Sequence, residues 1–394
     1  MKVNQLTLIL IKYVLPLLAL LAAGLGLYQW QFNQDTLLSS LPKNSDSDLQ
    51  SLEDYYQASQ SLTPQTNTTV TLNAVGDIML SRQVARNMNQ NQQNGLWPYQ
   101  NIEQILLESD FNFGNLESPF SGNNNLIPPT GLEFNAPTYA IDGLKKYNFK
   151  VLSLANNHVY DQGDSGVTKT QDLLIQNDII GVGTGQSKQS AWSGGVKEIN
   201  GVKIGFLAAT YGTNKPSNTG QTTVAKISEL QMLNDAIIKL KSSSDFVIVS
   251  MHAGTEYTYQ ETFAQTNFAH QVIQAGADMV IGHHPHWIQP IEQYQGKYIF
   301  YSLGNFIFDQ MWSQNTKEGL LLQITLESNI ACIAAQPEMQ CSAGLQGSTS
   351  KAEVKSINLV PIIIENFGQP RPASSEEATN ILQKINIQTT KLFP

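Results

Sequence analysis

The segment DMVIGHHPH, residues 278–286, carries a short apolar run straight into a glycine and three histidines. The chain has only six histidines, so half of them fall within four positions. An apolar run of strand length that ends in metal-ligating residues has the form of a buried parallel strand opening into a site at its carboxyl end. Four other segments repeat it in whole or part: VTLNAVGD (70–77), VLSLANNH (151–158), KIGFLAAT (203–210) and DFVIVSMH (245–252). Helix-like stretches lie between them, TYAIDGLKKY (138–147), VTKTQDLLIQ (167–176) and ETFAQTNFAHQVIQAG (261–276). Strands alternating with helices predict an α/β sheet.

The strand ends supply the candidate chemistry. Asp77 closes the first run as a hard oxygen ligand, although a Gly-Asp turn explains it alone. In NFGNLESPF (112–120), Asn115 and Glu117 lie one residue apart and share a face if the chain is extended. In LANNHVYDQG (154–163), Asn157 and His158 follow a buried run, and Asp161 is close enough to orient the imidazole. His252 ends its run with Glu256 four residues on. His284 and His286 flank Pro285 with the spacing of a two-histidine metal clip. His270, inside an amphipathic helical pattern, reads as structural, and His283 by neighbouring parity is expected to point away from the site. A mixed nitrogen and oxygen set suits Mn, Fe or Zn. Arg82 is either an anion-binding fork or a salt-bridge partner.

Composition narrows the setting. The 394 residues are 41% hydrophobic with a formal net charge of -9, and the 23 Lys and Arg are scattered, which excludes a nucleic-acid footprint. Residues 1–5 read as a cytoplasmic start. Residues 6–30, LTLILIKYVLPLLALLAAGLGLYQW, are long enough to cross a bilayer and read as an uncleaved anchor, with a cleaved signal peptide as the rival. Lys2 and Lys12 lie at its start and no basic residue occurs from Tyr13 to Pro42, so the bulk of the chain is expected outside the cytoplasm, as a single-pass membrane protein. Residues 31–68 read as a polar linker, and residues 69–394 as the globular domain. Cys332 and Cys341 read as a disulfide outside the cytoplasm, or else as two free thiols.

Taken together, AVGDIMLSR, GNLESPF, LANNHVYDQG, HAGTEY, GADMVIGHHPH, YSLGNFIFD and VPIIIENFGQPRPAS resemble, in order, the CapA family of poly-gamma-glutamate capsule synthesis proteins. That family resembles the calcineurin-like metallophosphoesterases. The resemblance implies a four-layer αββα sandwich with one or two divalent metal ions at one edge. It implies Asp77, Glu117, Asn157, His252, His284 and His286 as metal ligands and His158, with Asp161, as the proton-transfer pair. Arg82, Asn115, Glu256 and Asn305 are the candidate substrate contacts. Met79 stands where the superfamily has a further histidine, and Ala253 where many relatives have tryptophan. The implied activity is metal-assisted hydrolysis of a phosphoester or of a linkage in an anionic surface polymer, in company with other capsule synthesis subunits. The alternative is a non-catalytic subunit that binds or exports the polymer.

Overall fold

In the computed structural model, the segments that end in polar residues are parallel strands of two mixed sheets. The structure describes residues 66–92, 94–330, 351–387 and 389–392. The expected anchor at 6–30, nearly all of the linker and the cysteine pair Cys332 and Cys341 lie outside them. Among the described residues no helix is long and apolar enough to cross a membrane.

The larger sheet places β1 (Thr66–Ile78), β2 (Phe111–Leu116), β3 (Phe149–Ser153) and β4 (Ile180–Val182) side by side and parallel. Beyond β1 it continues through β14 (Glu318–Ile330), β15 (Ala352–Glu365) and β16 (Gln369–Pro372), the last three paired antiparallel. A short strand, β13 (Asn305–Ile307), joins the end of β1 in parallel, and β17 (Lys391–Leu392) pairs with β15. In the second sheet the parallel strands are β7 (Val202–Thr210), β9 (Phe246–His252), β10 (Met279–His283) and β12 (Lys297–Phe300). Antiparallel edge strands β6 (Gly195–Ile199) and β11 (Ile291–Tyr294) close it. A small ribbon pairs β5 (Thr184–Gly185) with β8 (Thr223–Val224) beside the short helix α5 (Lys188–Ala191).

Strands buried on both faces need apolar residues at nearly every position. β9 meets this with FVIVSMH, buried throughout. Its Val247, Val249 and Met251 pack outward with Leu233, Ala236, Ile237 and Leu240 of α6 (Leu230–Lys241) and with Phe268, Ala269, Val272 and Ile273 of α7 (Phe263–Gln274). The spacing of the α6 residues, at i, i+3, i+4 and i+7, makes one apolar stripe. A reciprocal cap between Thr262 and Gln265 starts α7. On the outer side of the larger sheet lie α1 (Arg82–Gln90), α2 (Glu103–Leu107), α3 (Ile141–Lys146) and α4 (Gly163–Gln176), contributing Val84, Leu106, Leu144 and Leu174 to the second core. The inner faces meet where Phe113 of β2 stacks on Phe206 of β7, ring centroids 5.2 Å apart. The order is therefore helices, sheet, sheet, helices. It agrees with the α/β class read from the alternation, and it brings the carboxyl ends of β1, β2, β3, β9 and β10 to one edge.

A candidate metal centre and its cleft

Asp77 is aimed by its backbone. The register slips between Ala74 and Asp77 against β2, and again between Asp77 and Ile78 against β13, a bulge that turns the carboxylate out of the ladder. The two strands approach so closely that a Cβ on Gly76 would meet the Gly304 carbonyl oxygen at 2.0 Å, and Gly304 itself has φ +68°. Asp77 N–H donates to that same oxygen at 3.1 Å. Asn115 lies in register with Asp77 and donates from Nδ2 to its Oδ1 at 2.8 Å.

Asp77, Glu117 and His252 converge, each offering a ligand atom within 4.8 Å of the others, and all are 0% exposed. Asn157 Oδ1 lies 2.9 Å from His252 Nε2, and Asn115 Nδ2 lies 3.2 Å from His252 Nδ1. Beside them the His284 N–H donates to Asp77 Oδ2 at 3.3 Å, and His286 Nδ1 lies 3.5 Å from the same oxygen. The His284 ring is 4.8 Å from that of His252. Asn305 Oδ1 accepts from His286 Nδ1 at 2.9 Å, leaving Nε2 free to ligate.

The electrostatics define the donor set. Burial, reinforced by the Asp77 charge, pushes the Glu117 carboxyl well above its ordinary range. Burial also opposes the Asp77 charge, but the contacts led by the hydrogen bond from His286 outweigh it and hold Asp77 low. Burial lowers His252 well below the usual histidine range and takes His284 down to about 3, so both are neutral and able to ligate. Both Glu117 oxygens and His284 Nδ1 are buried without a hydrogen-bond partner. Two buried carboxylates, a neutral imidazole and the orphaned Glu117 oxygens at one point fit a divalent cation, which would satisfy them.

A cleft of about 370 Å³ opens beside this group, lined in part by Asn157, His158, Asp161, Glu256, Tyr257 and His286. His158 Nδ1 lies 2.7 Å from Asp161 Oδ2, and its Nε2 is 3.8 Å from Glu117 Oε1. Phe134 covers one face of the imidazole, ring centroids 3.8 Å apart. Positive φ angles occur at His284 (98°), His286 (58°), Tyr257 (60°) and Arg82 (48°). Non-glycine residues in that region cost about 1–3 kcal/mol each and persist where packing holds them, commonly at sites of function.

All of the six residues that the resemblance implied as metal ligands are buried at this edge of the sandwich. His158 and Asp161 pair as anticipated from their spacing. The candidate substrate contacts divide differently. Asn115 and Asn305 are 0% exposed and bond the groups of the cluster, Asn115 reaching Asp77 and His252 and Asn305 reaching His286. Arg82 lines the cleft, but its guanidinium pairs with Asp309, whose side chain is 4% exposed. Glu256 lies in the cleft, exposed. His283 does not turn away as parity suggested. It is in register with His252, is 0% exposed, and brings Nδ1 to 3.6 Å from Asp77 Oδ1. Parity predicts opposed neighbours only while the backbone stays extended, and it leaves extension at His284. His270 is structural, paired with Glu292 at 2.9 Å.

Sequence reasoning did not single out Asn214 and Lys215, which line the cleft from the loop after β7. Asn214 Nδ2 is 3.4 Å from His158 Nε2. The stretch YGTNKPSNTGQ has turn composition and no period, so nothing local marks either residue.

Residues 71–310 match the family model described as bacterial capsule synthesis protein PGA_cap. The chain is 34% identical over 259 residues to the PGA biosynthesis protein CapA of Bacillus subtilis (strain 168), covering 65% of this chain and 67% of that one. It is 28% identical over 336 residues to the capsule biosynthesis protein CapA of Bacillus anthracis, covering 82% and 75%. Among solved structures, a putative 5'-nucleotidase from Staphylococcus aureus aligns with a TM-score of 0.40 at 12% identity, over 80% of this chain and 58% of that one.

Proposed function

Since the chain belongs to the bacterial capsule synthesis protein family PGA_cap, we propose that its domain is a metal-dependent hydrolase of capsule biosynthesis, acting on an anionic surface polymer or a phosphoester. The observation that carries the reading is the His158–Asp161 pair at 2.7 Å, standing in the cleft beside the orphaned Glu117 carboxylate.

Asp77, Glu117, Asn157, His252, His284 and His286 would hold the cation, of the Mn, Fe or Zn type. When bound, it would supply Lewis acidity and a nucleophilic water at neutral pH. Asp161 accepts from His158 Nδ1 and fixes the tautomer, so Nε2 is the atom presented to the cleft. Protonated there, Nε2 delivers its proton to the departing oxygen or nitrogen. The Asp161 carboxylate is itself fixed, because Oδ2 also accepts the Phe134 N–H at 2.6 Å. Phe134, stacked on the imidazole, excludes water from that face. The charge asymmetry of residues 1–42 supports a membrane-anchored domain facing outward.

The test is turnover by the purified full chain, metal-loaded, against bis(p-nitrophenyl) phosphate, p-nitrophenyl phosphate and γ-linked polyglutamate. Turnover lost in His158→Ala, with metal content kept, supports the reading. Polymer binding without cleavage in the wild type would instead support a handling subunit.

A further inference from the structure

An anionic substrate entering this cleft meets the carboxylates of Glu133, Asp161 and Glu256 on its wall, which repel it. Two cations line the cleft, Arg82 and Lys215. Arg82 is already committed. It pairs with Asp309, lies 4.9 Å from the centroid of Phe134 and 5.5 Å from that of Phe308, and only 13% of its side chain is exposed. Turning it toward a substrate would leave Asp309 buried and unpaired, a costly state.

Lys215 is different in both respects. Its backbone is pinned, while its ammonium is held loosely. On one side the Asn214 N–H donates to the Asn157 carbonyl at 2.8 Å. On the other, Asp164 at the start of α4 clasps the rest of the loop. Its carboxylate accepts from Ser217 Oγ at 2.7 and 2.8 Å, from Thr219 N–H at 2.8 Å and from Thr222 N–H at 2.9 Å. The Lys215 side chain is 39% exposed and pairs with Glu133, 55% exposed, at 2.5 Å across the cleft mouth. An exposed pair of this kind contributes little and exchanges partners readily.

We propose that Lys215 is the specificity-determining cation of the cleft: it releases Glu133 and receives an anionic oxygen of the substrate, carboxylate or phosphate, next to the scissile bond. The assignment deepens the hydrolytic reading and rests on it for the place of the scissile bond. Glu133 then acts as the competitor that keeps the position closed to weakly charged molecules, and the Asp164 clasp keeps the lysine beside His158.

Equilibrium binding to the full chain tests it without turnover, with and without Mn, using a short γ-linked glutamate oligomer and bis(p-nitrophenyl) phosphate as probes. Lys215→Ala is expected to weaken binding of at least one probe by roughly 10-fold, the scale of a charge-assisted hydrogen bond. Glu133→Ala should tighten the same probe by about 2–3-fold, since a weak competitor is removed. Loss for the oligomer alone assigns a carboxylate, loss for the diester alone assigns a phosphate, and either supports the proposal. The exchange Lys215→Glu with Glu133→Lys restores the ion pair but moves the cation, so its affinity should stay low. Recovery to the wild-type value in that double variant, unchanged binding in Lys215→Ala, or no binding of either probe by the wild type overturns the assignment. Wild-type binding without hydrolysis defeats the hydrolytic reading and leaves Lys215 as an anion-binding residue.

Discussion

Asp161 Oδ2 accepts two hydrogen bonds at once, from His158 Nδ1 at 2.7 Å and from the Phe134 N–H at 2.6 Å. One carboxylate oxygen thus joins the imidazole to the backbone of the loop that also covers its face. Asp161→Asn keeps the size but can present its amide nitrogen to both donors. We expect turnover to fall by about 10²–10⁴-fold in His158→Ala, the scale of general-acid catalysis, and by a smaller factor in Asp161→Asn, with metal content kept in both. Steady-state kinetics beside elemental analysis measures this. Equal loss of metal and activity in His158→Ala would assign the imidazole to the metal instead.

Glu117 gives a prediction for the metal-free protein. Burial and Asp77 raise its folded pKa above the unfolded value, so the folded state holds a proton that the unfolded state gives up sooner. The sign follows: in EDTA, stability falls as pH rises from the ordinary glutamate range near 4.5 toward neutrality. Glu117→Gln should remove that fall and be more stable than wild type at pH 7. Urea melts at pH 5 and pH 7 compare the two. A wild type that gains stability over that interval while Glu117→Gln does not would contradict the assignment.

Asp164 has the opposite sign. Burial opposes its charge, but the hydrogen bonds from Thr222, Ser217 and Thr219 outweigh it and hold the pKa below the ordinary carboxylate range. Its contribution is therefore fully present above the unfolded pKa near 4 and is lost as pH falls through the lower folded value. Asp164→Asn is expected to cost about 2–3 kcal/mol at pH 7, because a neutral amide cannot serve four converging donor groups, the Ser217 hydroxyl, the Thr219 N–H and the N–H and hydroxyl of Thr222. Hydrogen exchange should show residues 211–222 opening more often in the variant, with β9 unaffected.

The Arg82–Asp309 pair is expected to be structural. Arg82→Ala leaves a carboxylate whose side chain is 4% exposed without its cation, and should cost about 3–5 kcal/mol. Asp309→Asn in the same background should recover part of that loss. Thermal unfolding of the two variants decides it, and an Arg82→Ala protein as stable as wild type would refute the pairing.

What the sequence made legible follows from where the chemistry sits. Asp77, Asn157, His158 and His252 each follow an apolar run, so strand periodicity alone placed them at one edge. His158 and Asp161 are three residues apart, within reach of local reasoning. The rest depends on distant pairs. Arg82 and Asp309 are 227 positions apart, and Asn214 reaches His158 across 56, separations over which no local pattern extends. Asn115 and Asn305 were recognisable as candidate site residues, but their contacts with Asp77, His252 and His286 are made across distant strands. His283 was misread because parity was carried through a backbone that turns at His284.

The central claim is that the buried group of Asp77, Glu117 and His252 holds a divalent cation. Elemental analysis of the full chain, equilibrated with Mn, Fe or Zn and desalted, tests it most directly beside Asp77→Asn and His252→Ala. The account predicts one to two ions per wild-type chain and a severalfold loss in both variants, each still folded by circular dichroism. A wild-type chain without bound metal, or variants that keep the wild-type amount, would contradict it.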